Sequence, residues 1–157
     1  MREIKIIFIT GLSGVGKSSV LEALSNKGFH IVDTDYGYTK ELNKGLFKEV
    51  IWDEEKIEEL IETYHDQHLF LSGCYENQGK FYPYFDQIIL LTARLDIMLE
   101  RVNNHPTNPY GKSEKEKREI TDHYNLVLPL LKLKADLIID TSTESIEEVC
   151  ESLIKLL

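Results

Sequence analysis

Eight consecutive residues near the start of the chain place glycines, a lysine and a serine at fixed spacing. They read Gly11-Leu12-Ser13-Gly14-Val15-Gly16-Lys17-Ser18 and fit the pattern G-x-x-x-x-G-K-[ST]. Glycines let a main chain take left-handed angles and bring successive N–H groups close to a phosphate. Lys17 can then reach the β- and γ-phosphates of a nucleotide, and the Ser18 hydroxyl can ligate Mg²⁺. The motif predicts a nucleoside triphosphate site made of Gly11, Ser13, Gly14, Val15, Gly16, Lys17, Ser18 and Ser19.

Two carboxylates lie one residue apart farther along the chain. Asp33 and Asp35 follow the apolar run that begins at Phe29, and side chains two apart in extended backbone point to the same side. One carboxylate could hold Mg²⁺ through water while the other accepts a proton from a substrate hydroxyl. The spacing leaves the two roles unassigned, and a turn with solvated acids or a helix N-cap at Asp35 is the alternative. Tyr36, the next residue, belongs to the same candidate substrate site.

Both groups need strands and helices that place them, and the hydrophobic pattern predicts these elements in alternation. Five strands separated by helices favour a parallel sheet that is covered on both faces. We therefore predict a single α/β domain over residues 1–157. The predicted strands are Ile4–Ile9, Phe29–Asp33, Leu69–Ser72, Phe85–Leu91 and Ala135–Asp140. Three helices are predicted at Ser19–Lys27, Asp53–Asp66 and Leu95–Val102. A fourth helix begins at a capping box at Ser113, has an apolar stripe that includes His123, and is kinked or ended by Pro129. A last helix follows a cap within Thr141–Glu144.

Ligands of such a sheet bind beyond the carboxyl ends of its strands. The third predicted strand is followed by a polar loop, whose candidate substrate-binding residues are Ser72, Gly73, Cys74, Asn77 and Gln78. Aromatic rings lie on this loop and after the second strand, where they suit a planar or sugar-like acceptor. The alternative for each ring is packing of a long loop against the core. The rings in question are Tyr36, Tyr38, Trp52, Tyr75, Phe81, Tyr82 and Tyr84.

Composition limits the partners of the chain. The 157 residues carry a net charge of −9, with 42% apolar and 29% charged residues, so we expect no general binding to nucleic acid or to a membrane. The same excess of acid makes a highly anionic acceptor less natural, although Lys40, Lys44 and Lys80 could counter it. Two separated cysteines, no leader-like segment and no apolar stretch of about 18 residues predict a cytoplasmic protein. A monomer and a homodimer both remain open.

The order of these elements resembles that of small-molecule and nucleotide kinases, the group that includes shikimate, gluconate, dephospho-coenzyme A and adenylate kinases. The resemblance covers nearly the whole chain, and the glycine–lysine motif is its one specific signature. It implies a three-layer P-loop NTPase fold with five parallel strands in the order 2-3-1-4-5 and helices on both faces. It also implies phosphoryl transfer from ATP with Mg²⁺, and a lid at residues 104–118 that closes over the nucleotide.

The resemblance further implies roles for single residues of the motif and the strand ends. Lys17 would stabilise the transferring phosphoryl group, and Ser18 would bind Mg²⁺. Asp33 would serve the substrate or the metal, and Arg101 would lie against the nucleotide. The predicted catalytic residues are Lys17, Asp33, Asp35, Arg101 and Arg118.

The same resemblance places residues around the base and over the phosphates. Thr141 and Ser142, after the last strand, would lie near the adenine. In the lid, Lys112 and Arg118 would add positive charge. Their charged stretch also suits a solvated helix face with pairs four residues apart, which is the alternative.

Two absent signatures separate the kinase prediction from other classes of nucleotide-binding protein. Ser72 ends the third strand where motor-type and AAA-type ATPases need a carboxylate, which disfavours both classes. No N-K-x-D motif follows the fourth strand, so the guanine signature of GTPases is missing. We therefore expect an ATP- and Mg²⁺-dependent kinase for a small molecule, nucleoside or nucleotide. The alternative is a nucleotide-binding regulatory protein or an NTP hydrolase without a small-molecule acceptor.

Overall fold

The computed structural model describes residues 4–64, 67–105 and 111–157. Strands and helices alternate in these ranges as the hydrophobic pattern predicts, with a hairpin and one short helix added. The strands are β1 (Ile6–Thr10), β2 (His30–Asp33), β3 (Thr39–Lys44), β4 (Phe47–Trp52), β5 (Leu69–Ser72), β6 (Gln87–Thr92) and β7 (Leu137–Asp140). The helices are α1 (Lys17–Asn26), α2 (Glu54–Thr63), α3 (Leu95–Asn104), α4 (Glu114–Leu126), α5 (Leu128–Lys134) and α6 (Ile146–Ile154), with a 3₁₀ helix at Gln78–Tyr84.

Five strands form one parallel sheet in the order β2-β5-β1-β6-β7. Numbered within this sheet alone, the order is the predicted 2-3-1-4-5. β1 lies in the centre, and its Ile7, Phe8 and Ile9 side chains are fully buried. Ile7 and Ile9 pack into one hydrophobic cluster and Phe8 into another, because successive side chains of a strand point to opposite faces. The sheet is therefore the middle layer of a three-layer α/β fold, as predicted.

Three helix ends differ from the prediction. α1 begins at Lys17, earlier than predicted and directly behind the glycine-rich loop. Pro129 lies in the first turn of α5, where a missing N–H costs nothing, so it starts a new helix instead of only ending α4. The predicted cap of the last helix at Thr141–Glu144 is wrong: Ser145 and Glu148 form the capping box of α6, and the earlier segment is the turn after β7.

The other helices follow the prediction with small changes. Ser113 caps α4 by accepting a hydrogen bond from the Glu116 backbone N–H at 3.1 Å. His123, which the predicted apolar stripe of that helix included, is exposed. α2 ends at Thr63, and the last predicted residues of that helix, 65 and 66, lie outside the described residues. None of the helices within the described ranges is long and apolar enough to span a membrane.

A β-hairpin between β2 and α2 is the main element that sequence reasoning missed. β3 and β4 pair antiparallel, with Lys44 opposite Phe47 across the two-residue turn Gly45-Leu46. Gly45 has a φ of +66°, as a two-residue hairpin turn with glycine first requires. Both strands are mostly exposed and mix charged with apolar residues without a period of two, so their sequence shows neither a buried run nor a strand pattern. The hairpin stands beside the polar ends of β2 and β5.

Trp52, the last residue of the hairpin and the one tryptophan of the sequence, anchors it to the sheet. Its indole is fully buried, packs edge-on against Phe8 with ring centroids 5.5 Å apart, and donates to Thr34 Oγ1 at 2.9 Å. The Asn77 amide binds the Trp52 backbone from both sides, accepting from its N–H and donating to its carbonyl, each at 3.0 Å. A second Asn77 donor bond reaches Glu54 Oε2 at 2.9 Å. Asn77 therefore joins the hairpin to the loop after β5.

The glycine-rich loop touches the backbone of α3 at Gly14. Gly14 has a φ of +86°, and a Cβ added there would lie 2.6 Å from the Met98 carbonyl oxygen and 3.1 Å from Met98 Cα. Both contacts are with helix backbone, which cannot rotate away as a side chain end could. The close approach therefore requires glycine at this position of the loop.

We expect Asn77→Ala to lower the free energy of unfolding by about 1–3 kcal/mol, because the buried Trp52 backbone N–H and carbonyl lose their partners. Urea denaturation followed by Trp52 fluorescence measures this change and reports the hairpin directly. Asn43→Ala makes the same truncation at an exposed position of the same hairpin and should change stability by less than about 0.5 kcal/mol. Equal losses of stability in the two variants would show that the Asn77 hydrogen bonds to the Trp52 backbone do not stabilise the hairpin.

We expect Gly14→Ala to destabilise the chain more than Gly28→Ala. Gly28 shares a positive φ, of +93°, but a Cβ there meets nothing within 4 Å, so its substitution reports backbone strain alone, about 1 kcal/mol. The Met98 contact should add roughly 1–3 kcal/mol for Gly14→Ala. Paired urea titrations of both variants measure the difference, and a difference near zero would show that the loop does not pack closely on α3.

Candidate functional site

The glycine-rich loop lies between β1 and α1, with the first turn of α1 starting at Lys17. Gly16 is the N-cap residue, with a φ of +99°, so the free N–H groups of the first turn follow the loop without a side chain between them. The Lys17 ammonium donates to the carbonyl oxygens of Gly11 and Leu12, the latter at 3.1 Å. Burial lowers its pKa, which the nearby Cys74, Asp35 and Asp33 groups oppose.

The acid pair after β2 forms a tight turn in front of this lysine. The Asp35 backbone N–H donates to Asp33 Oδ1 at 3.1 Å. Burial raises the pKa of the Asp33 carboxyl, and the Asp35 carboxylate adds to the rise, while the turn hydrogen bond and Lys17 act against it. The Tyr75 hydroxyl donates to Asp35 Oδ1. Burial, followed by this hydrogen bond to Asp35, raises the pKa of Tyr75, so its hydroxyl stays a donor.

A space that we call the phosphate cavity, of about 530 Å³, surrounds the start of α1. It brings together the predicted nucleotide-binding residues of the loop with one of the two acids and with Arg101. Ser18 and Asp35 contribute a hydroxyl and a carboxylate oxygen to it, which are ligand types that Mg²⁺ takes together with nucleotide phosphates. Asp33, the predicted metal residue, is not among its lining residues. The lining of the phosphate cavity includes Ser13, Gly14, Lys17, Ser18, Asp35 and Arg101.

A smaller space of about 260 Å³, the arginine cavity, lies on the other side of the loop. Arg101 borders both spaces and ties the loop to the end of β7. Its Nη1 donates to Gly14 O at 3.2 Å and to Thr141 Oγ1 at 2.9 Å, and its Nη2 donates to Thr141 O at 2.8 Å. The Thr141 hydroxyl donates in turn to Val15 O at 2.7 Å. The cavity is lined by Val15, Gly16, Ser19, Arg101, Thr141 and Ile146.

A third space of about 680 Å³, the large cavity, lies between the loop, the hairpin, the segment after β5, and the helices α4 and α5. Lys17 and Asp35 line it as well as the phosphate cavity, so the two spaces meet at these side chains. Gln78 is buried at the edge of the large cavity, where its amide donates to Thr10 Oγ1 at 3.1 Å and to Tyr82 Oη at 2.9 Å. The lining includes Cys74, Tyr75, Gln78, Tyr82, Leu130 and Leu131.

Several predicted substrate residues lie away from the large cavity. Ser72 is buried at the end of β5, where its carbonyl accepts from Thr34 Oγ1 at 2.6 Å. A Cβ on Gly73 would lie 2.4 Å from Thr34 Oγ1 and 3.2 Å from the Trp52 ring, so this glycine makes room for the hairpin anchor. Asn77 is committed to the hairpin. Tyr36 is 78% exposed.

Predicted residues near the base and in the lid are also distributed unevenly. The Ser142 hydroxyl accepts from the Arg94 backbone N–H at 2.8 Å, and it is Thr141 that lines the arginine cavity. Of the predicted lid, residues 106–110 lie outside the described residues. Lys112 and Arg118 are exposed, and neither is among the described residues that line the three cavities.

Sequence reasoning missed three groups that the structure brings to the cavities. Glu49 lines the large cavity from the hairpin, and only recognition of the hairpin could have found it. Leu130 and Leu131 form an apolar wall of the same cavity, which a helix starting at Pro129 would have indicated. Ile146 reaches the arginine cavity from the start of α6.

Solved structures with the same fold are shikimate kinases and a related protein. The chain matches shikimate kinase from Bacteroides thetaiotaomicron with a TM-score of 0.68 and 18% identity, covering 98% of each chain. It matches the Acinetobacter baumannii shikimate kinase in complex with shikimate with a TM-score of 0.65 and 16% identity, covering 98% of this chain and 92% of that one. It matches TT1252 from Thermus thermophilus with a TM-score of 0.66 and 16% identity, covering 99% of each chain. At these identities the likeness shows the fold, which is that of the small P-loop kinases.

Curated sequence relatives carry other names. The RNase adapter protein RapZ of Erwinia tasmaniensis is 26% identical over 94% of this chain and 51% of its own length. A nucleotide-binding protein of Thermosipho melanesiensis is 24% identical over 97% of this chain and 53% of its own. A nucleotide-binding protein of Syntrophomonas wolfei is 28% identical over 96% of this chain and 51% of its own length. The chain spans about half the length of these relatives.

A family model decides the membership. The model described as AAA domain matches residues 7–122, which run from β1 through most of α4. The sequence argument from Ser72 disfavoured AAA-type ATPases, and as a statement about family it is wrong. Ser72 does end β5, but a missing carboxylate at that place does not exclude a chain whose loop and sheet match. The chain belongs to the AAA domain family of P-loop proteins.

Proposed function

We propose that the chain is an ATP- and Mg²⁺-dependent kinase that phosphorylates a hydroxyl group of a small molecule. The supporting observation is that Lys17 and Asp35 line both the phosphate cavity and the large cavity. A donor nucleotide on the loop and a second ligand in the large cavity would therefore meet at these two side chains. A protein that only senses a nucleotide has no need for a second space of about 680 Å³ beside the phosphates.

In this proposal the acceptor oxygen attacks the γ-phosphorus, a new P–O bond forms, and the bond to the β-phosphate oxygen breaks to release ADP. The Asp35 carboxylate accepts the proton of the acceptor hydroxyl and passes it to solvent. Tyr75 holds Asp35 by its hydrogen bond, and Lys17 stabilises the charge on the transferring group. Mg²⁺, held by the Ser18 hydroxyl together with the nucleotide phosphates, would neutralise charge on the β- and γ-oxygens, which leaves the Asp35 carboxylate free to act as the base.

The remaining predicted residues take positioning roles. Arg101 and Thr141 border the arginine cavity, where we propose that the base binds beside the guanidinium plane. Asp33 fixes the turn that carries Asp35. Lys112 and Arg118 are proposed to add charge near the phosphates, as the resemblance implies for a lid at residues 104–118.

The names of the curated relatives favour a second candidate, a nucleotide-binding regulatory protein. Two kinds of relatives are called nucleotide-binding proteins and RNase adapter proteins. In that case nucleotide binding would control a contact with another protein, and ATP would turn over slowly or not at all. The expectation of no nucleic-acid partner stays a prediction in either case.

A panel of hydroxylated metabolites with ATP and Mg²⁺ separates the two candidates. A kinase releases ADP in proportion to one acceptor and gains thermal stability when that acceptor binds. Slow ADP formation that no acceptor changes, with tight retention of the product, would support the regulatory protein and contradict the kinase.

We expect Lys17→Ala to lower turnover by about 10³-fold even at saturating ATP, because positioning and electrostatics supply nearly all of the catalysis. Steady-state ADP release measures the effect. Lys56→Ala, an exposed lysine on α2, removes the same charge away from the cavities and should leave turnover unchanged. Full activity of Lys17→Ala with saturating donor would disprove the assignment.

We expect Asp35→Asn to lower kcat by about 10²- to 10⁴-fold with little change in the Kd for ATP, since the acid acts on the acceptor. Tyr75→Phe, which removes only the hydrogen bond to Asp35, should cause a smaller loss. Asp122→Asn on the exposed face of α4 is the matched control. A larger kcat loss in Asp33→Asn than in Asp35→Asn would instead make Asp33 the base.

A further inference from the structure

We propose that the acceptor in the large cavity is a hydroxyl compound without negative charge, either uncharged or carrying an amine. This inference rests on the proposed kinase function and narrows the substrate class of the same site. The charges that face the cavity, the position of three nearby lysines and the two kinds of cavity wall support it.

The charged groups around the large cavity are mainly carboxylates. Asp35, Glu49 and Glu76 line it from the turn after β2, the hairpin and the segment after β5. Among the described lining residues, Lys17 is the one lysine or arginine, and it belongs to the donor phosphates; the other basic group is the imidazole of His123. An anionic acceptor would therefore enter against three carboxylates without a cation of its own.

Glu49 and Glu76 lie next to each other at the cavity, and Lys44 lies near both of them. A hydrogen bond to Glu49 and its charge raise the pKa of Glu76, while the partners of Glu49, first Glu76 and then Lys44, lower its pKa. Lys44 Nζ lies 2.7 Å from Glu49 and 4.0 Å from Glu76. One lysine is thus shared between two carboxyl groups, and with both of them ionised the three side chains keep an excess of negative charge.

The three lysines that could have balanced an anionic acceptor lie elsewhere. Lys40, Lys44 and Lys80 line a neighbouring surface groove together with Glu54, and none of them lines the large cavity, although Glu76 borders both spaces. Lys44 is bound to Glu49, and Lys80 lies 3.2 Å from Glu54 Oε2. Lys40, Lys44 and Lys80 therefore do not face the space that the proposed function assigns to the acceptor.

The walls of the large cavity differ in polarity. One side carries the Gln78 amide and the Tyr82 hydroxyl, with Asp35 at the phosphate end. The other side is formed by Leu130 and Leu131 of α5. Such a space fits a ligand with one hydroxylated edge and one apolar face. The Acinetobacter baumannii kinase structure contains shikimate, a hydroxylated carboxylic acid. Shikimate is an anion and therefore does not belong to the acceptor class that we propose for this cavity.

The test compares acceptors that share a skeleton and differ in charge, with the intact chain, ATP and Mg²⁺. Galactose, galactosamine and galacturonate form one set, ribonucleosides and their monophosphates a second, and shikimate is added. ADP release gives kcat/KM for each compound. We expect uncharged or amine-bearing members to exceed their anionic counterparts by about tenfold or more, and shikimate to be inactive.

The double variant Glu49→Gln/Glu76→Gln then tests whether these carboxylates set the preference. The double variant should lower the ratio of kcat/KM for non-anionic acceptors to kcat/KM for anionic acceptors by about tenfold, and the change should come from KM more than from kcat. Glu22→Gln/Glu62→Gln makes the same charge change at exposed positions of α1 and α2 and should leave the ratio unchanged. A best acceptor that is anionic, or equal ratios in both double variants, overturns this inference while the kinase stands. No turnover of any compound overturns the kinase proposal and this inference together.

Discussion

The site depends on the glycine-rich loop between β1 and α1 keeping its conformation while α3 and the end of β7 pack against it. Arg101 supplies the contact that holds it there. The guanidinium binds Gly14 O on one side and Thr141 on the other, and Thr141 reaches back to Val15 O. Three segments far apart in sequence, the loop, α3 and the end of β7, are thereby fixed to one another. The fork of donors in arginine makes this possible, and a lysine could not replace it.

The fixed loop defines where two ligands can meet. β1 is the central strand, so its carboxyl end lies between the ends of β5 and β6, and ligands of a parallel α/β sheet bind at that edge. The arginine cavity lies on one side of the loop and the large cavity on the other. Lys17 and Asp35 line both the phosphate cavity and the large cavity, which the proposed function assigns to the donor and the acceptor. This arrangement is what a phosphoryl transfer enzyme needs, because such enzymes act mainly by placing charged groups around an in-line transfer.

The sequence predicted the residues around the glycine-rich loop better than those around the large cavity, for a physical reason. The loop motif is contiguous, and each of its residues has its place fixed by the strand before it and the helix after it. The acceptor side depends on contacts between segments. Ser72 and Gly73 follow a strand end but lie under the Trp52 anchor, and Glu49 reaches the cavity only because β3 and β4 form a hairpin. The hairpin strands are half exposed and carry charges, so their pattern resembles a loop. The role of Thr141 as an acceptor for Arg101 could not be derived either, since the two lie 40 residues apart.

The central claim is that a phosphoryl group passes from the loop to a second ligand across Lys17. The most direct measurement incubates the intact chain with Mg²⁺, ATP labelled at the γ-phosphorus and a protein-free extract of small metabolites, and then separates the labelled products. The account predicts label in a new organic phosphate that forms only when the extract is present. Label that remains in ATP, or that appears only as inorganic phosphate, would contradict it.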